Sequence, residues 1–321
     1  MEMRRVFSKI KGKVLFNEPL KRHTTFRIGG PCGVWAEPRS ERDLREILKL
    51  AKARKKRTVL MGAGSNILPG DRAASGVVIH LGGKYFKRVH FSGRKVTAGA
   101  GISLAYLINL LCEKGLGGTE GLAGIPGTLG GAIFMNAGYR GNISDCLESV
   151  RVMSKKSGKI SVLKKSRKEN SAEGSLRDPA EFHQEKLHAG KKIKFSYRHS
   201  GLYGYIILEA TLSLKKSDKK KLLKKRNKVL RVKKSEQPLG SMNAGCVFKN
   251  PGRALPAALY IDMLGFKGKR IGGAKVSEKH ANFIINEKGA KASDVLRLMD
   301  IIKKRVKSEF GVELAPEIEI L

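Results

Sequence analysis

The chain has 321 residues, which at roughly 150 per domain suggests about two domains, and its 41% hydrophobic content excludes a generically disordered polymer. Its sign balance is unusual: 65 Lys+Arg against 28 Asp+Glu give a formal net charge of +37, a field that draws in anions of every kind, from nucleotides to nucleic acid and acidic lipid. No apolar run approaches the ~20 residues of a membrane span, the stretch Met1 to Leu20 lacks the apolar core of a signal peptide, and four scattered cysteines (Cys32, Cys112, Cys146, Cys246) with no CxxC spacing argue against a zinc site or a disulfide scaffold and for a reducing cytoplasm.

In chain order, the first clear element is a helix. Ser40-Glu41-Arg42-Asp43 resembles a capping box, and Leu44, Ile47, Leu48 and Ala51 then fall on one face. A short strand, Thr58 to Met61, runs into a glycine turn at Gly62-Ala63-Gly64. Val77 to Ile79 and Val96 to Ala98 read as further strands. Ser103 caps a second helix with Leu104, Leu107, Ile108 and Leu111 inward and Gly115 as its stop. From Gly115 to Gly141 glycine is about every third residue, which predicts a chain of tight turns where backbone approaches something closely. Lys164 to Lys192 is polar and poor in aliphatics, as in a long surface loop or insertion. Tyr205 to Leu214 reads as a strand. Lys215 to Lys234 carries twelve Lys/Arg in twenty residues, with Leu222, Leu223, Val229 and Leu230 on one side: an amphipathic basic helix, either a solvated face or a nucleic-acid patch. Ser293 caps the last helix, with Val295, Leu298, Ile302 and Val306 inward and Gly311 at its end, and a closing strand contains Glu317. There is no internal repeat.

Six segments carry chemistry. Gly62-Ala63-Gly64-Ser65-Asn66 follows a strand with small residues whose amides can converge on a phosphate, although it lacks the lysine of a Walker loop and the third glycine of a dinucleotide fingerprint. An ordinary strand-end turn is the bland alternative. Gly124 to Ala132, followed by Met135-Asn136-Ala137-Gly138, lets backbone pass close to a flat or diphosphate ligand, with Thr128 and Asn136 as hydrogen-bonding side chains. Phe195-Ser196-Tyr197-Arg198-His199-Ser200 sets an arginine beside aromatics, where it could stack, pair with a carboxylate or stabilise developing negative charge, or serve only as surface charge. Asn243 to Pro251 places the Cys246 thiol between a glycine and an apolar pair, the setting of an inert buried cysteine. Arg270 to Phe283 contains His280, which alone reads as a structural hydrogen-bonder. Leu314-Ala315-Pro316-Glu317-Ile318 offers an acid near the end of the chain.

Taken in order, and with His23-Thr24-Thr25-Phe26-Arg27-Ile28-Gly29-Gly30 before them, these segments resemble the UDP-N-acetylenolpyruvoylglucosamine reductase family, in its shorter architecture, over nearly the whole chain. The resemblance implies an α+β fold. A two-subdomain FAD-binding domain of the vanillyl-alcohol-oxidase (PCMH) type would span residues 1–214, with the polar insertion near 164–192, and a smaller α+β substrate-binding domain residues 215–321. It implies a cytoplasmic, monomeric oxidoreductase of peptidoglycan precursor synthesis, with FAD as cofactor and NADPH as hydride donor, that reduces UDP-N-acetylglucosamine enolpyruvate to UDP-N-acetylmuramate. It implies no metal.

Carried over by motif, Gly62, Ala63, Gly64, Ser65 and Asn66 match the family's segment on the FAD diphosphate. Ile125, Pro126, Gly127, Thr128, Gly130, Gly131 and Asn136 match its second flavin-contacting segment. Arg198 matches the arginine that steadies the reacting enolate, and Glu317 its acidic partner. Tyr197 and Asn250 match positions near the substrate, and Lys234 a position for the substrate or the nicotinamide cofactor. Three departures stand out: Cys246 replaces the family's usual serine proton donor, Ala315 replaces the glutamate before the final proline, and the 164–192 stretch is longer than usual. The alternatives are another flavin oxidoreductase on the same fold and a basic nucleic-acid-binding protein with the Lys215–Lys234 helix as its footprint. The second leaves the glycine segments unexplained, and nucleic-acid binding enters otherwise only as a weak non-specific effect.

Overall fold

The computed structural model describes residues 2–166, 192–252 and 255–321, so most of the polar 164–192 stretch lies outside the described residues. The chain forms two compact units, each assembled from three separate segments. The first takes Met1–Phe16, Val34–Gly62 and Gly76–Arg231; the second takes Asn17–Gly33, Ala63–Ser75 and Val232–Leu321.

The first unit contains a five-stranded antiparallel sheet in the order Ile160–Lys164, Leu147–Ser154, Tyr205–Ser213, Lys95–Gly99, Val89–Ser92. Tyr205–Ser213 is central and correspondingly aliphatic, with Ile206, Ile207, Leu208, Ala210 and Leu212 all buried. Thr58–Leu60 lies parallel to Ala74–Ile79 in a second sheet. The helix Glu41–Ala53 buries Leu44, Ile47, Leu48 and Ala51, the expected face. Its capping differs from a closed box: Ser40 Oγ accepts from the Asp43 amide, but the short Asp43 carboxylate reaches the amide of Arg39 rather than that of Ser40. Leu104–Glu113 is capped by Ser103, buries the expected residues plus Cys112, and stops at Gly115 with φ +66°.

Two expectations in this unit change. The 115–141 stretch is not turns throughout, since Leu129–Phe134 is a helix capped by Thr128. Two glycines and six residues give no 3.6-residue pattern to read, and the helix owes its existence to the cap and to close packing on Ala100, whose Cβ would lie 2.9 Å from a Cβ at Gly130. The basic helix starts at Lys219 and runs to Glu236, while Lys215–Lys216 pairs as a strand with Leu116–Gly117.

In the second unit a four-stranded sheet runs Asn243–Cys246, Phe283–Asn286, Ala274–Val276, Arg270–Ile271, with the helix Ala292–Phe310 burying Val295, Leu298, Ile302 and Val306 in its core. A relay of backbone hydrogen bonds joins its three segments: Leu20 N–H to Gly30 O, Gly30 N–H to Gly70 O, and Gly70 N–H to Leu321 O. The Asn286 amide adds a bond to Phe26 O at 3.0 Å. Gly30 is required here because a Cβ would run into the Asp71 carbonyl. The Ala292–Phe310 helix is capped from a distant segment, since Asp71 accepts from the amides of Ala292 (2.6 Å) and Ser293 (3.0 Å). Ser293 therefore lies inside the first turn rather than at the cap. The closing strand is Glu319–Ile320, parallel to Ile67–Leu68, and Glu317 precedes it.

Candidate active site

The glycine turn after Thr58–Leu60 is shaped by exclusion. A Cβ at Gly62 would lie 2.7 Å from Thr128 Oγ1, and Gly64 has φ +62°. The amides of Gly62, Ala63 and Gly64 donate to no acceptor among the described residues. Three neighbouring donors left in this way are what a diphosphate needs from a turn of small residues. Thr128 Oγ1 is itself engaged, accepting from the Gly131 amide at 3.2 Å. The stretch beside it is laid backbone to backbone: Leu104 N–H to Gly127 O, Leu129 N–H to Ile102 O, Gly130 N–H to Ala100 O. Gly124 and Gly127 take φ of +79° and +134°, and Ile125 is half-buried between them.

Asn136 sits just beyond the short helix with φ +43° and is buried. Its side-chain N–H donates to Ser196 O at 2.9 Å, while its Oδ1 accepts from nothing among the described residues. A buried orphan acceptor costs about 1–3 kcal/mol, and a ligand N–H, such as a flavin ring carries, would satisfy it. The donors at Gly62–Gly64 suit the diphosphate of FAD, and this acceptor separately suits its flavin N–H.

The Arg198 segment is tied to the same stretch. Ser196 and His199 exchange backbone hydrogen bonds of 3.0 and 3.2 Å, which makes a tight hairpin with Tyr197 and Arg198 at its tip and Arg198 at φ +56°. Three bonds fasten it: Asn136 to Ser196 O, Ser200 Oγ to Phe134 O at 2.7 Å, and Arg198 Nη1 to Gly138 O at 3.2 Å. The guanidinium lies 5.1 Å from the Tyr197 ring centroid, and Tyr197 itself is 51% exposed. Arg198 is thus half-buried at the tip of a fastened hairpin, and a guanidinium is suited to an anion.

Cys246 and Glu317 belong to the second unit. Cys246 ends the strand Asn243–Cys246, opposite Phe283, after Gly245 at φ +83°. Residues 247–249 are clamped on both sides. Val247 N–H donates to Asn282 O, Phe248 N–H to Asn282 Oδ1 and Asn282 Nδ2 to Phe248 O. From the other side Glu317 N–H donates to Val247 O and Lys249 N–H to Ala315 O. Glu317 is therefore bonded one residue beyond Cys246, and its own carbonyl accepts from Asn66 Nδ2 at 3.0 Å. Ala315 contributes through its backbone, which tolerates the departure from glutamate at that position. Asn250 Oδ1 accepts from the Ala257 amide and closes the 250–257 connection.

Lys234 is exposed, and its carbonyl accepts from Lys279 Nζ. Its neighbour Lys233 is the buried lysine of this helix end, at 5% exposure. The apolar pattern could have flagged it, since Lys233 continues the Leu222–Val229 face. Asn282, which organises the Cys246 segment, was also missed; only its place beside His280 pointed to it. His280 Nδ1 accepts from the Asn282 amide, and burial, then the Lys267 charge, push its pKa below the usual value, in keeping with a neutral structural role.

The four thiols divide sharply. Burial pushes Cys32 and Cys112 up to about 11 and Cys146 up to about 12. Cys246 alone is only partly buried.

The family comparisons agree with this geometry. Residues 33–164 match the model of an FAD binding domain, and residues 237–321 that of the UDP-N-acetylenolpyruvoylglucosamine reductase C-terminal domain. The UDP-N-acetylenolpyruvoylglucosamine reductase of Caldanaerobacter subterraneus subsp. tengcongensis is 39% identical over 314 residues, covering 97% of this chain and 94% of that protein. That of Bacillus subtilis is 36% identical over 329 residues, covering 99% of each. A crystal structure of the Thermus caldophilus UDP-N-acetylenolpyruvylglucosamine reductase matches with a TM-score of 0.74 at 32% identity, over 97% of this chain and 99% of that one.

Proposed function

This chain belongs to the UDP-N-acetylenolpyruvoylglucosamine reductase family, FAD-dependent oxidoreductases, and from that premise we propose that it reduces UDP-N-acetylglucosamine enolpyruvate to UDP-N-acetylmuramate with NADPH, in the cytoplasm, for peptidoglycan synthesis. One observation carries the residue roles: the Arg198 hairpin is fastened by three hydrogen bonds to the glycine segment whose buried Asn136 carbonyl awaits a donor. In this reading cofactor binding falls to residues 1–214 and substrate binding chiefly to 215–321, with Tyr197 and Arg198 of the first part also meeting the substrate.

FAD, when bound, supplies hydride transfer from NADPH to the methylene carbon of the enolpyruvyl group. Gly62, Ala63, Gly64, Ser65 and Asn66 would hold its diphosphate, and Ile125, Pro126, Gly127, Thr128, Gly130, Gly131 and Asn136 the remainder. Reduction of the methylene carbon leaves carbanion character on the adjacent carbon, delocalised into the carboxylate as an enolate. Arg198 stabilises that charge, with Glu317 as the acid that shares the role. Such preorganised donors are worth about 3–4 kcal/mol each. Cys246 delivers the proton that completes the lactyl ether, and its thiolate regains a proton from solvent. A free cysteine has a pKa of ~8.5, and the thiol, as opposed to the thiolate, is the form that can do this. Tyr197, Lys234 and Asn250 position the UDP-sugar.

The test is spectroscopic. Purified protein, or protein reconstituted with FAD, is titrated anaerobically with NADPH and then with the enolpyruvyl sugar. Flavin absorbance that bleaches and then returns is the expected result. Bleaching without return overturns the substrate assignment, and failure to take up FAD overturns the cofactor assignment.

A further inference from the structure

The basic helix Lys219–Glu236 presents its charge in an order that its fold does not need. Leu222 is buried in the first unit's core, and Val229, on the same face, is buried too. At 3.6 residues per turn the opposite face carries Lys220, Lys224, Lys228 and Arg231 in one line, at steps of about 6 Å or less along the axis. None of the four has a carboxylate partner among the described residues, whereas Lys219 and Lys225 on the flanks pair with Glu113 and Glu120. Like charges four residues apart destabilise a helix, and three lysines in the first turn with no acid oppose its dipole. Folding alone would not select this stripe.

Two neighbouring features extend it. Before the helix, an open pocket of about 570 Å³ is lined by Gly93, Arg94, Lys215 and Lys216. Lys219 pairs with Glu113 and Arg226 bonds the Asn109 side chain, so two side-chain contacts tie the basic helix to the helix Leu104–Glu113. Tyr106, one helical turn before Asn109 on that helix, is 60% exposed. An exposed aromatic on a helix bonded to a line of cations offers the two features that single-stranded nucleic acids use, a ring for bases and cations for phosphates. Acidic membrane fits less well. A surface-lying helix inserts an apolar face, whereas here the apolar face is buried and no large hydrophobic residue of 215–236 is exposed among the described residues.

We propose that the Lys220–Lys224–Lys228–Arg231 stripe, continued by Arg94, Lys215 and Lys216 and by Tyr106, is a binding surface for single-stranded nucleic acid, separate from the residues assigned to reduction. Binding is sequence-independent and salt-controlled. At about 0.7 per phosphate, seven cations give a log K against log salt slope of about −5, so a fourfold rise in salt weakens binding about a thousandfold.

The experiment uses the full chain and a fluorescein-labelled twenty-nucleotide oligothymidylate, read by anisotropy across a salt series. Substituting Lys220, Lys224, Lys228 and Arg231 by Gln is expected to cut the slope to about −2 and to leave reductase turnover intact, which reports the fold. Tyr106→Ala is expected to weaken binding about tenfold with the slope unchanged, because stacking releases no counterions. A control removes equal charge elsewhere, with Lys49, Lys52, Lys55 and Lys87 changed to Gln. If the control lowers the slope as much as the stripe variant, the attraction belongs to net charge and the proposal fails. It fails also if wild-type protein does not bind the oligonucleotide at 50 mM salt, or binds phosphatidylglycerol vesicles through the stripe while ignoring the oligonucleotide.

Discussion

The stretch Gly124–Gly138 and the stretch Asn243–Asn250 both carry proposed chemistry, but through different parts of the chain. In the first, side chains are removed so that backbone can lie against backbone: Gly130 on Ala100, Thr128 facing Gly62, and Gly127 in a conformation L-residues avoid. In the second the main chain is fixed by side-chain amides, Asn282 on Phe248 and Asn243 on the Gly245 amide at 2.8 Å, which leaves the residue at 246 to be chosen by its chemistry. At Gly130 and Gly138 the first stretch has no room for a Cβ. The second fixes its frame without the side chain at 246, so the frame itself makes no demand on whether that residue is cysteine or serine.

That contrast is sharpest at Cys246. Removing a proton donor costs about 10²–10⁴ in rate, so Cys246→Ala is expected to lose turnover of the enolpyruvyl sugar while NADPH still bleaches the flavin. Cys246→Ser is expected to stay within about tenfold of wild type, since the amide frame is unchanged. Equal turnover in wild type and Cys246→Ala would remove the thiol from the reaction. A quick check precedes the kinetics: with Cys32, Cys112 and Cys146 buried and their thiols pushed up to about 11–12, iodoacetamide should label Cys246 first and inactivate in proportion.

Arg198 stands on the backbone-built side. Its position is fixed in part by Gly138 O and by the Ser196–His199 hairpin. Arg198→Ala is expected to lower kcat by about 10²–10³, with KM changed far less, because the charge it meets exists only during reaction. A loss confined to KM would make it a substrate-binding group. Gly62→Ala should break the same region through shape. Its methyl would press on Thr128 Oγ1 and loosen the cap on Leu129–Phe134. Overpacking of about 1–3 kcal/mol corresponds to a loss of FAD affinity of roughly five- to 150-fold, read by flavin retention and titration. Gly204→Ala, which meets nothing within 4 Å, is the control and should retain FAD fully.

The same division explains what could be read from the sequence. Helices with a clean apolar period and a local cap were legible: Glu41–Ala53 and Leu104–Glu113 bury the residues their spacing predicts. The order of motifs named the family and hence the cofactor. What stayed hidden was whatever depends on partners distant in the chain. The helix Leu129–Phe134 has no period of its own and is held by Ala100 and Thr128. The Asn136 amide bonds a residue sixty positions away. The second unit gathers Asn17–Gly33 and Ala63–Ser75 with the C-terminal segment through the Gly30–Gly70–Leu321 relay. No local pattern announces a hydrogen bond between glycines.

The smallest expected effect tests that long-range bonding directly. Asp71, from a short middle segment of the second unit, caps the Ala292–Phe310 helix by accepting from the Ala292 and Ser293 amides. Desolvation pulls its carboxyl up, but the two amide bonds and the Lys291 charge outweigh it and hold the pKa below the usual value. A carboxylate depressed on folding contributes stability that is present above its unfolded pKa, about 3.9, and lost as pH falls through the folded value. Asp71→Ala is therefore expected to cost about 1 kcal/mol at neutral pH, the usual worth of such a cap. The gap between wild type and variant should close as pH is lowered below about 4. Denaturant unfolding at pH 7 and at pH 3.5 measures both values. A gap that does not narrow in acid would mean that Asp71 acts by shape alone, which would move this cap to the backbone-built side of the comparison.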